Sequence, residues 1–167
     1  MSEYTHIIHP FRPLYNKDSR ILILGSLPSV KSREEGFYYG HPRNRFWMML
    51  GGVWDEPAPV DIEEKKQFIL RHHLALYDAI ESCDIIGSSD SSIRNVKPAD
   101  LQEIIENAGI KKILANGKTA GKYFCKYQEE PYQDMFKIMP STSPANAAVS
   151  LEQLIKCWSV ELLDEND

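Results

Sequence analysis

Residues 36–47 combine the residue types that could hold a flat, charged ligand and act on it. They read Gly-Phe-Tyr-Tyr-Gly-His-Pro-Arg-Asn-Arg-Phe-Trp. Aromatic rings, turn formers and cations are mixed here too closely for a core strand or an amphipathic helix. The mixture therefore predicts an active-site loop. A helix is expected to begin near Pro42 or Arg43, because proline is tolerated in a first helical turn, and Asn44 would then face the ligand.

Two further polar loops follow apolar runs of the kind that form buried parallel strands. Residues 20–24 are the first run, and Gly-Ser-Leu-Pro-Ser follows at 25–29. Residues 112–115 are the second, followed by Asn-Gly-Lys-Thr at 116–119. The second loop would lie at a helix N-terminus, which is a natural anion site, although it lacks the full Walker pattern.

A third such loop follows the apolar run at residues 135–139. It reads Pro-Ser-Thr-Ser-Pro-Ala-Asn at 140–146, and its hydroxyls and backbone N–H groups could hold phosphate oxygens. Because loops that follow parallel strands meet at one edge of a sheet, we expect all these loops to surround a single cleft. The cleft would be formed by residues 26–29, 37–44, 116 and 141–146.

Helices are expected between the strands, which gives a parallel sheet covered on both faces. Asp61 with Glu64 has the capping-box pattern of a helix start, and so does Ser150 with Gln153. Residues 98–109 are typical of an amphipathic helix. The alternation of strands and helices therefore predicts an α/β fold.

Length and composition fit one globular domain over residues 1–167. The chain is 43% hydrophobic and 26% charged, and its ends at 1–10 and 161–167 are expected to be loosely ordered. No stretch has the roughly 18 apolar residues of a membrane span, and no charged-then-apolar leader is present. We expect a soluble, cytoplasmic monomer.

Isolated residues in apolar stretches are expected to serve the core. Cys83, Cys125 and Cys157 lack the spacing of a zinc or iron–sulfur site and are interpreted as buried fillers. Asp78 is either a hydrogen-bonded structural acid or a site residue, and its surroundings favour the structural role. We therefore expect no metal and no cofactor, and an activity that survives chelation.

The net charge is −5, but the charges are unevenly distributed. Residues 1–50 carry seven Lys or Arg against four Asp or Glu, whereas residues 51–90 carry three against nine. This asymmetry is compatible with a basic face that binds nucleic acid and an acidic back. Solvated faces without a partner would give the same pattern, so charge alone leaves both interpretations open.

Four segments together resemble the uracil-DNA glycosylase superfamily, and most of all its hypoxanthine-DNA (deoxyinosine) glycosylase branch. They are Gly-Ser-Leu-Pro-Ser at 25–29, Tyr-Tyr-Gly-His-Pro-Arg-Asn-Arg-Phe-Trp at 38–47, Asn-Gly-Lys-Thr-Ala at 116–120 and Pro-Ser-Thr-Ser-Pro-Ala-Asn at 140–146. The similarity extends over nearly the whole chain. It implies a three-layer α/β/α sandwich around a mostly parallel four-stranded sheet.

The resemblance implies a monofunctional DNA glycosylase of base excision repair, which hydrolyses the N-glycosidic bond of a damaged base flipped from double-stranded DNA. Hypoxanthine is the expected base, and uracil, or thymine opposite guanine, is the alternative. A catalytically inert DNA- or nucleotide-binding module is a further alternative, because Leu27 stands where the mismatch-specific branch has an asparagine. The hypoxanthine branch instead assigns the attacking water to Asn44.

The resemblance assigns roles to three groups of residues. Asn44 is the expected catalytic residue, whose carbonyl oxygen would orient water toward the sugar, although a helix cap would also explain it. Tyr38 or Tyr39 would stack on the flipped base. The expected base pocket is formed by Ser26, Leu27, Pro28, Tyr38, Tyr39 and Asn116. Contacts to DNA are expected from Ser29, His41, Arg43, Arg45, Lys118, Ser141, Thr142, Ser143 and Asn146.

Overall fold

The computed structural model describes residues 3–163, apart from the side chains at positions 129–131 and 133. Its strands are β1 (Thr5–Ile8), β2 (Ile21–Gly25), β3 (Leu74–Asp78), β4 (Ile80–Ile85), β5 (Arg94–Pro98), β6 (Lys112–Asn116) and β7 (Phe136–Met139). Its α-helices are α1 (Val30–Glu35), α2 (Phe46–Trp54), α3 (Ile62–Arg71), α4 (Gln102–Asn107), α5 (Lys118–Tyr132) and α6 (Leu151–Leu162). Between residues 3 and 163, no helix combines the length and apolar content needed to cross a bilayer.

The centre of the fold is a four-stranded sheet in the order β3, β2, β6, β7, with every neighbouring pair parallel. Strand β2 is buried along its whole length, as its unbroken apolar sequence predicts. Its Ile21 pairs with Leu74 on one side and with Lys112 on the other. Because all four strands run in one direction, the loops that follow them meet at one edge of the sheet.

Helices cover both faces of this sheet. On one face, α2, α3 and α6 pack around Phe46 and Trp158, which are fully buried. On the other face, α4 and α5 bury Ile104 and Phe124. Burying a large apolar side chain stabilises the fold by roughly 1.5–3 kcal/mol, so each layer is held mainly by such contacts. The predicted three-layer sandwich is confirmed.

The structure also contains a second sheet, which is antiparallel and has three strands in the order β1, β4, β5. The sequence analysis did not predict this sheet. Strand β1 pairs Thr5 with Ile85 and Ile8 with Ser82. The segment at 5–8, within the end that was expected to be loosely ordered, is therefore paired as a strand.

The other end of the chain is also more ordered than expected. Glu161 lies in the last turn of α6, and its carboxylate contacts the Lys137 ammonium at 2.8 Å and the Lys112 ammonium at 3.3 Å. These bonds, with the buried Leu162, hold the start of the segment predicted to fray. The rest of that prediction, for residues 164–167, lies outside the described residues.

Two helices begin later than predicted. Helix α2 begins at Phe46 rather than near Pro42, with Arg45 at the N-cap and no side-chain capping bond. The Asn44 side-chain oxygen, one residue earlier, accepts the Phe46 N–H at 2.9 Å. Helix α4 begins at Gln102 rather than at residue 98, because residues 94–98 pair with β4 as an edge strand. Proline is tolerated at such an edge.

The two predicted helix caps differ in detail. Ser150 and Gln153 form the full capping box at the start of α6, as expected. Asp61 caps α3 by accepting the Glu64 N–H at 2.8 Å, but the Glu64 carboxylate accepts the Val60 N–H instead of returning to Asp61. Both helices therefore begin where the sequence predicts.

The cysteines occupy three different environments. Cys83 is buried and Cys125 half-buried, whereas Cys157 is exposed on α6, which corrects its interpretation as a core filler. Within residues 3–163, no group of three His, Cys, Asp or Glu side chains is arranged to hold a metal ion.

Candidate active site

The loops after the four parallel strands enclose a cleft of about 1080 Å³ at one edge of the sheet. Most residues that the sequence predicts for the site line this cleft, and the exceptions are Arg43 and Arg45. The predicted residues on the wall are Ser26, Leu27, Pro28, Ser29, Tyr38, Tyr39, His41, Asn44, Asn116, Lys118, Ser141, Thr142, Ser143 and Asn146. Segments that are far apart in sequence thus form one site, as expected.

A hydrogen-bonded network joins three of these loops. Thr142 is fully buried, and its hydroxyl donates to the Asn44 Oδ1 at 2.8 Å. Asn116 Nδ2 donates to the same hydroxyl at 3.0 Å, and the Thr142 N–H donates back to Asn116 Oδ1 at 3.0 Å. The network fixes the side chain of Asn44 relative to the ends of β6 and β7.

The network determines which atoms of Asn44 are available for chemistry. Its Oδ1 accepts from both the Phe46 N–H and the Thr142 hydroxyl, which occupies both lone pairs of an amide oxygen. Because a backbone N–H can only donate, the amide orientation is fixed. The carbonyl oxygen, which the sequence analysis expected to hold water, is thus engaged, whereas the two N–H groups of Nδ2 donate to no described residue.

The two adjacent tyrosines have different environments. Tyr38 is only 2% exposed, and its hydroxyl donates to the Arg12 carbonyl at 2.9 Å. Its ring packs edge-on against Phe37 within the core, so it offers no free face for stacking on a base. Tyr39 is half-buried and stacks on Phe46 with 3.9 Å between the ring centroids. It has a φ of +53°, a conformation rare for a bulky residue and common at functional sites.

Arg45, which was predicted to contact DNA, has a structural role. Its guanidinium donates to the backbone carbonyls of Ser143, Asn146 and Val149, at 3.2 Å and 2.9 Å for the first two. A guanidinium is planar and presents several N–H donors in a rigid fork, so one side chain can bind all three carbonyls. Arg45 therefore holds the loop that carries Thr142, whereas Arg43 is exposed.

Replacing Arg45 with methionine should lower the free energy of unfolding by about 2 kcal/mol, because charge-assisted hydrogen bonds to part-buried carbonyls are lost. Equilibrium unfolding in urea measures this change. Arg43→Met is the matched control, and as an exposed substitution it should stay within about 0.5 kcal/mol of the wild type. Equal stability of the two variants would contradict the structural role of Arg45.

The two serine hydroxyls of the loop at 140–146 keep their protons available. The Ser143 N–H donates to Ser141 Oγ at 3.1 Å, and the Ala145 N–H donates to Ser143 Oγ at 3.2 Å. Both hydroxyls accept in these bonds, so their own protons can still be donated to a phosphate oxygen. Asn146 Nδ2 donates to the Ser141 carbonyl at 3.0 Å, which places it within the loop framework rather than on a free surface.

Asp78 is a cleft residue for which the sequence interpretation left both roles open and favoured the structural one. It is 4% exposed, lies at the end of β3 opposite Gly25, and lines the cleft. Its Oδ2 bonds to His9 Nε2 at 2.5 Å. One signal in the sequence could have identified Asp78 as a cleft residue. It is the last residue of its strand, as Gly25 and Asn116 are of theirs, and these parallel strands end at the same edge of the sheet.

Comparisons with known proteins agree with this geometry. The model of the Uracil DNA glycosylase superfamily matches residues 12–163. A hypoxanthine DNA glycosylase from Methanosarcina acetivorans is 34% identical over 144 residues, which cover 84% of this chain and 89% of that protein. Another, from Methanosarcina barkeri, is 31% identical over 138 residues, with coverages of 81% and 86%.

Structural similarity extends over the same region. A solution NMR structure of a proposed uracil DNA glycosylase from Methanosarcina acetivorans superposes with a TM-score of 0.78 and 30% identity. The match covers 93% of this chain and 97% of that one. Sequence family, fold and the loops around the cleft all lead to one assignment. The chain belongs to the uracil DNA glycosylase superfamily.

Proposed function

We propose that this protein is a monofunctional DNA glycosylase that removes hypoxanthine from double-stranded DNA in base excision repair, acting as a monomer. The observation that carries the proposal is the network of Asn44, Thr142 and Asn116 in the wall of the cleft. The relatives named hypoxanthine DNA glycosylases support this choice of base.

A base inside a duplex is out of reach of any protein side chain, so the nucleotide must rotate into the cleft. Unstacking costs a few kcal/mol, and less for a damaged or mispaired base. Tyr39 lines the cleft with its ring stacked on Phe46, so it can contact the flipped base.

Hydrolysis breaks the bond between the sugar carbon C1′ and N9 of the base, and the electron pair leaves with the base. The water oxygen then bonds to C1′, one of its protons stays on the sugar hydroxyl, and the other ends on the base. Asn44 cannot remove a proton near neutral pH, but an N–H of its Nδ2 can donate to the water and fix its position. When the transition state is dissociative, the position of the water contributes more to the rate than its strength as a nucleophile.

The decisive experiment compares duplexes that contain hypoxanthine, uracil opposite guanine, or thymine opposite guanine. Each is incubated with excess protein and then treated with alkali, which cleaves the strand at abasic sites. We expect the hypoxanthine strand to be cleaved fastest. Faster cleavage at uracil or thymine would favour the alternative glycosylases, and no cleavage at any base would favour an inert DNA-binding module.

DNA binding should depend only weakly on salt. Arg43 and Lys118 are exposed cations on the loops expected to meet DNA, whereas Arg45 is engaged with carbonyls. Neutralising two phosphates gives a slope of about −2 for log affinity against log salt. Fluorescence anisotropy with a labelled duplex measures this slope. A slope steeper than about −4 would require a basic surface other than these loops.

A further inference from the structure

His9 and Asp78 form a buried pair beside the cleft. Their side chains are 1% and 5% exposed, and His9 Nε2 lies 2.5 Å from Asp78 Oδ2. The other ring nitrogen of His9 lies 2.9 Å from the Phe11 carbonyl oxygen and 3.2 Å from the Phe11 nitrogen. The rings of Phe11, Tyr38 and Tyr77 surround the imidazole, with centroids 4.7–6.0 Å away. The imidazole is thus held on all sides in one orientation.

The pair leaves Asp78 Oδ1 without a partner among the described residues, on the side of the carboxylate that adjoins Gly25. A Cβ on Gly25 would lie 2.3 Å from that oxygen and 3.3 Å from the Tyr39 hydroxyl. The Tyr39 hydroxyl is itself buried and makes no direct hydrogen bond in the described part of the chain, although the Asn116 side chain lies near it. Since both distances are measured from one point, the two oxygens form one small patch beside Gly25, a residue that lines the cleft.

This patch combines an acceptor with a donor. Burial, and next the nearby Asp78 carboxylate, raise the pKa of Tyr39 far above its ordinary value, so its hydroxyl keeps its proton. A buried polar group left without a partner costs roughly 1–3 kcal/mol, which a ligand with complementary groups would recover. The geometry therefore suits a ligand that presents a donor next to an acceptor.

Hypoxanthine has an edge with a donor next to an acceptor, whereas adenine has an acceptor and a donor in the opposite positions. Deamination of adenine replaces the 6-amino group by a carbonyl oxygen and places a hydrogen on N1. Hypoxanthine then presents N1–H as a donor beside O6 as an acceptor, which is a lactam. Adenine presents an N1 lone pair beside an amino donor. Reading the Watson–Crick edge of a flipped base is how glycosylase pockets select their target.

We propose that Asp78 and Tyr39 read the lactam edge of the flipped base, and that His9 is the positioning residue that holds the Asp78 carboxylate for this contact. Asp78 Oδ1 accepts the N1–H, and the Tyr39 hydroxyl donates to O6. The proposal rests on the proposed function, because it concerns the base in that same cleft. Adenine would set its N1 lone pair against a carboxylate and is rejected. His9 lies before residues 12–163, the part that matches the family model.

Single-turnover excision of hypoxanthine and binding to a duplex with an abasic site test this proposal. Asp78→Asn should slow excision about 30-fold and His9→Ala about 10-fold, since each leaves the lactam imperfectly paired. Tyr39→Phe keeps the ring stacked on Phe46 and should also slow excision about 10-fold. Binding to the abasic duplex, which presents no base, should stay within about twofold of the wild type for all three variants.

Further variants separate positioning from general damage to the fold. His9→Gln retains a side-chain N–H that can reach Asp78 Oδ2, so it should recover most of the excision lost in His9→Ala. In an Asp78→Asn background, His9→Ala should cause no further loss beyond about twofold, because coupled residues are not additive. His6→Ala is the matched control, since it removes an exposed His–Asp pair from the neighbouring strand β1 and should leave excision unchanged.

The outcomes distinguish this inference from the proposed function. If the wild-type protein leaves hypoxanthine in place, the proposed function fails and this inference fails with it. If the wild type excises hypoxanthine but Asp78→Asn does so equally fast, only the inference fails. Independent, multiplying losses for His9 and Asp78 would also overturn it, as would a folded His9→Gln protein that is no faster than His9→Ala.

Discussion

Asn44→Ala should lower the single-turnover rate of hypoxanthine excision by about 10² or more, the loss typical of removing a positioned catalytic group. The variant removes the N–H donors that are expected to hold the attacking water. It also removes the bond that the Asn44 oxygen accepts from the Phe46 N–H, which should lower the free energy of unfolding by only about 1 kcal/mol. Binding to DNA should be nearly unchanged, because phosphate contacts come from other residues.

Asn44→Asp separates the catalytic role from the hydrogen bond to the Phe46 N–H. The carboxylate retains an oxygen that can accept the Phe46 N–H, so this bond is kept. It has no N–H donor, and its excision rate should therefore fall to a similar degree as in the alanine variant. Wild-type excision by Asn44→Asp would show that the oxygen holds the water. Near-normal excision by Asn44→Ala would remove Asn44 from the mechanism altogether.

Thr142→Val should lower excision by about 30-fold to 10², because a buried hydroxyl that joins two amides is replaced by a methyl group of the same size. Asn44 would lose the bond that fixes its side chain, and Asn116 Nδ2 would lose its acceptor. Single-turnover excision and urea unfolding are measured together, so that a loss of stability is separated from a loss of rate.

Thr142→Ser is the matched control for this prediction. It keeps the hydroxyl and removes only the methyl group, so the bonds to Asn44 and Asn116 can still form. We expect its excision rate to remain within a few-fold of the wild type. If valine were tolerated as well as serine, the position of Asn44 would not depend on Thr142.

The sequence predicted the parallel sheet because its strands carry strong local signals. The unbroken apolar run of β2 and the polar loop after it need no tertiary information to be interpreted. The antiparallel sheet was missed because β5 is largely exposed and β4 lacks a regular alternation of buried and exposed residues. Periodicity, the main signal for a half-buried strand, is weak in both.

Site residues were predicted well where a loop as a whole faces the cleft, and less well where one atom decides the role. From its sequence position, Arg45 was predicted to contact a phosphate. In the structure its N–H groups donate to backbone carbonyls 98 to 104 positions away, and the sequence does not reveal such distant partners. Asp78 looked structural because its neighbours are apolar. Its place at the cleft follows from strand register, which only the folded sheet establishes.

The bond between Asn44 and Thr142 joins residues 98 positions apart, and this distance has a consequence for how the protein folds. The parallel sheet likewise pairs Ile21 with Lys112, so most of the chain must be in place before either contact forms. Closing such a long loop costs conformational entropy before any contact forms to compensate for it. Folding is therefore slow. A partly folded chain would hold none of the assembled site. Recovery of excision during refolding should therefore follow the last cooperative step, not the earlier formation of helices.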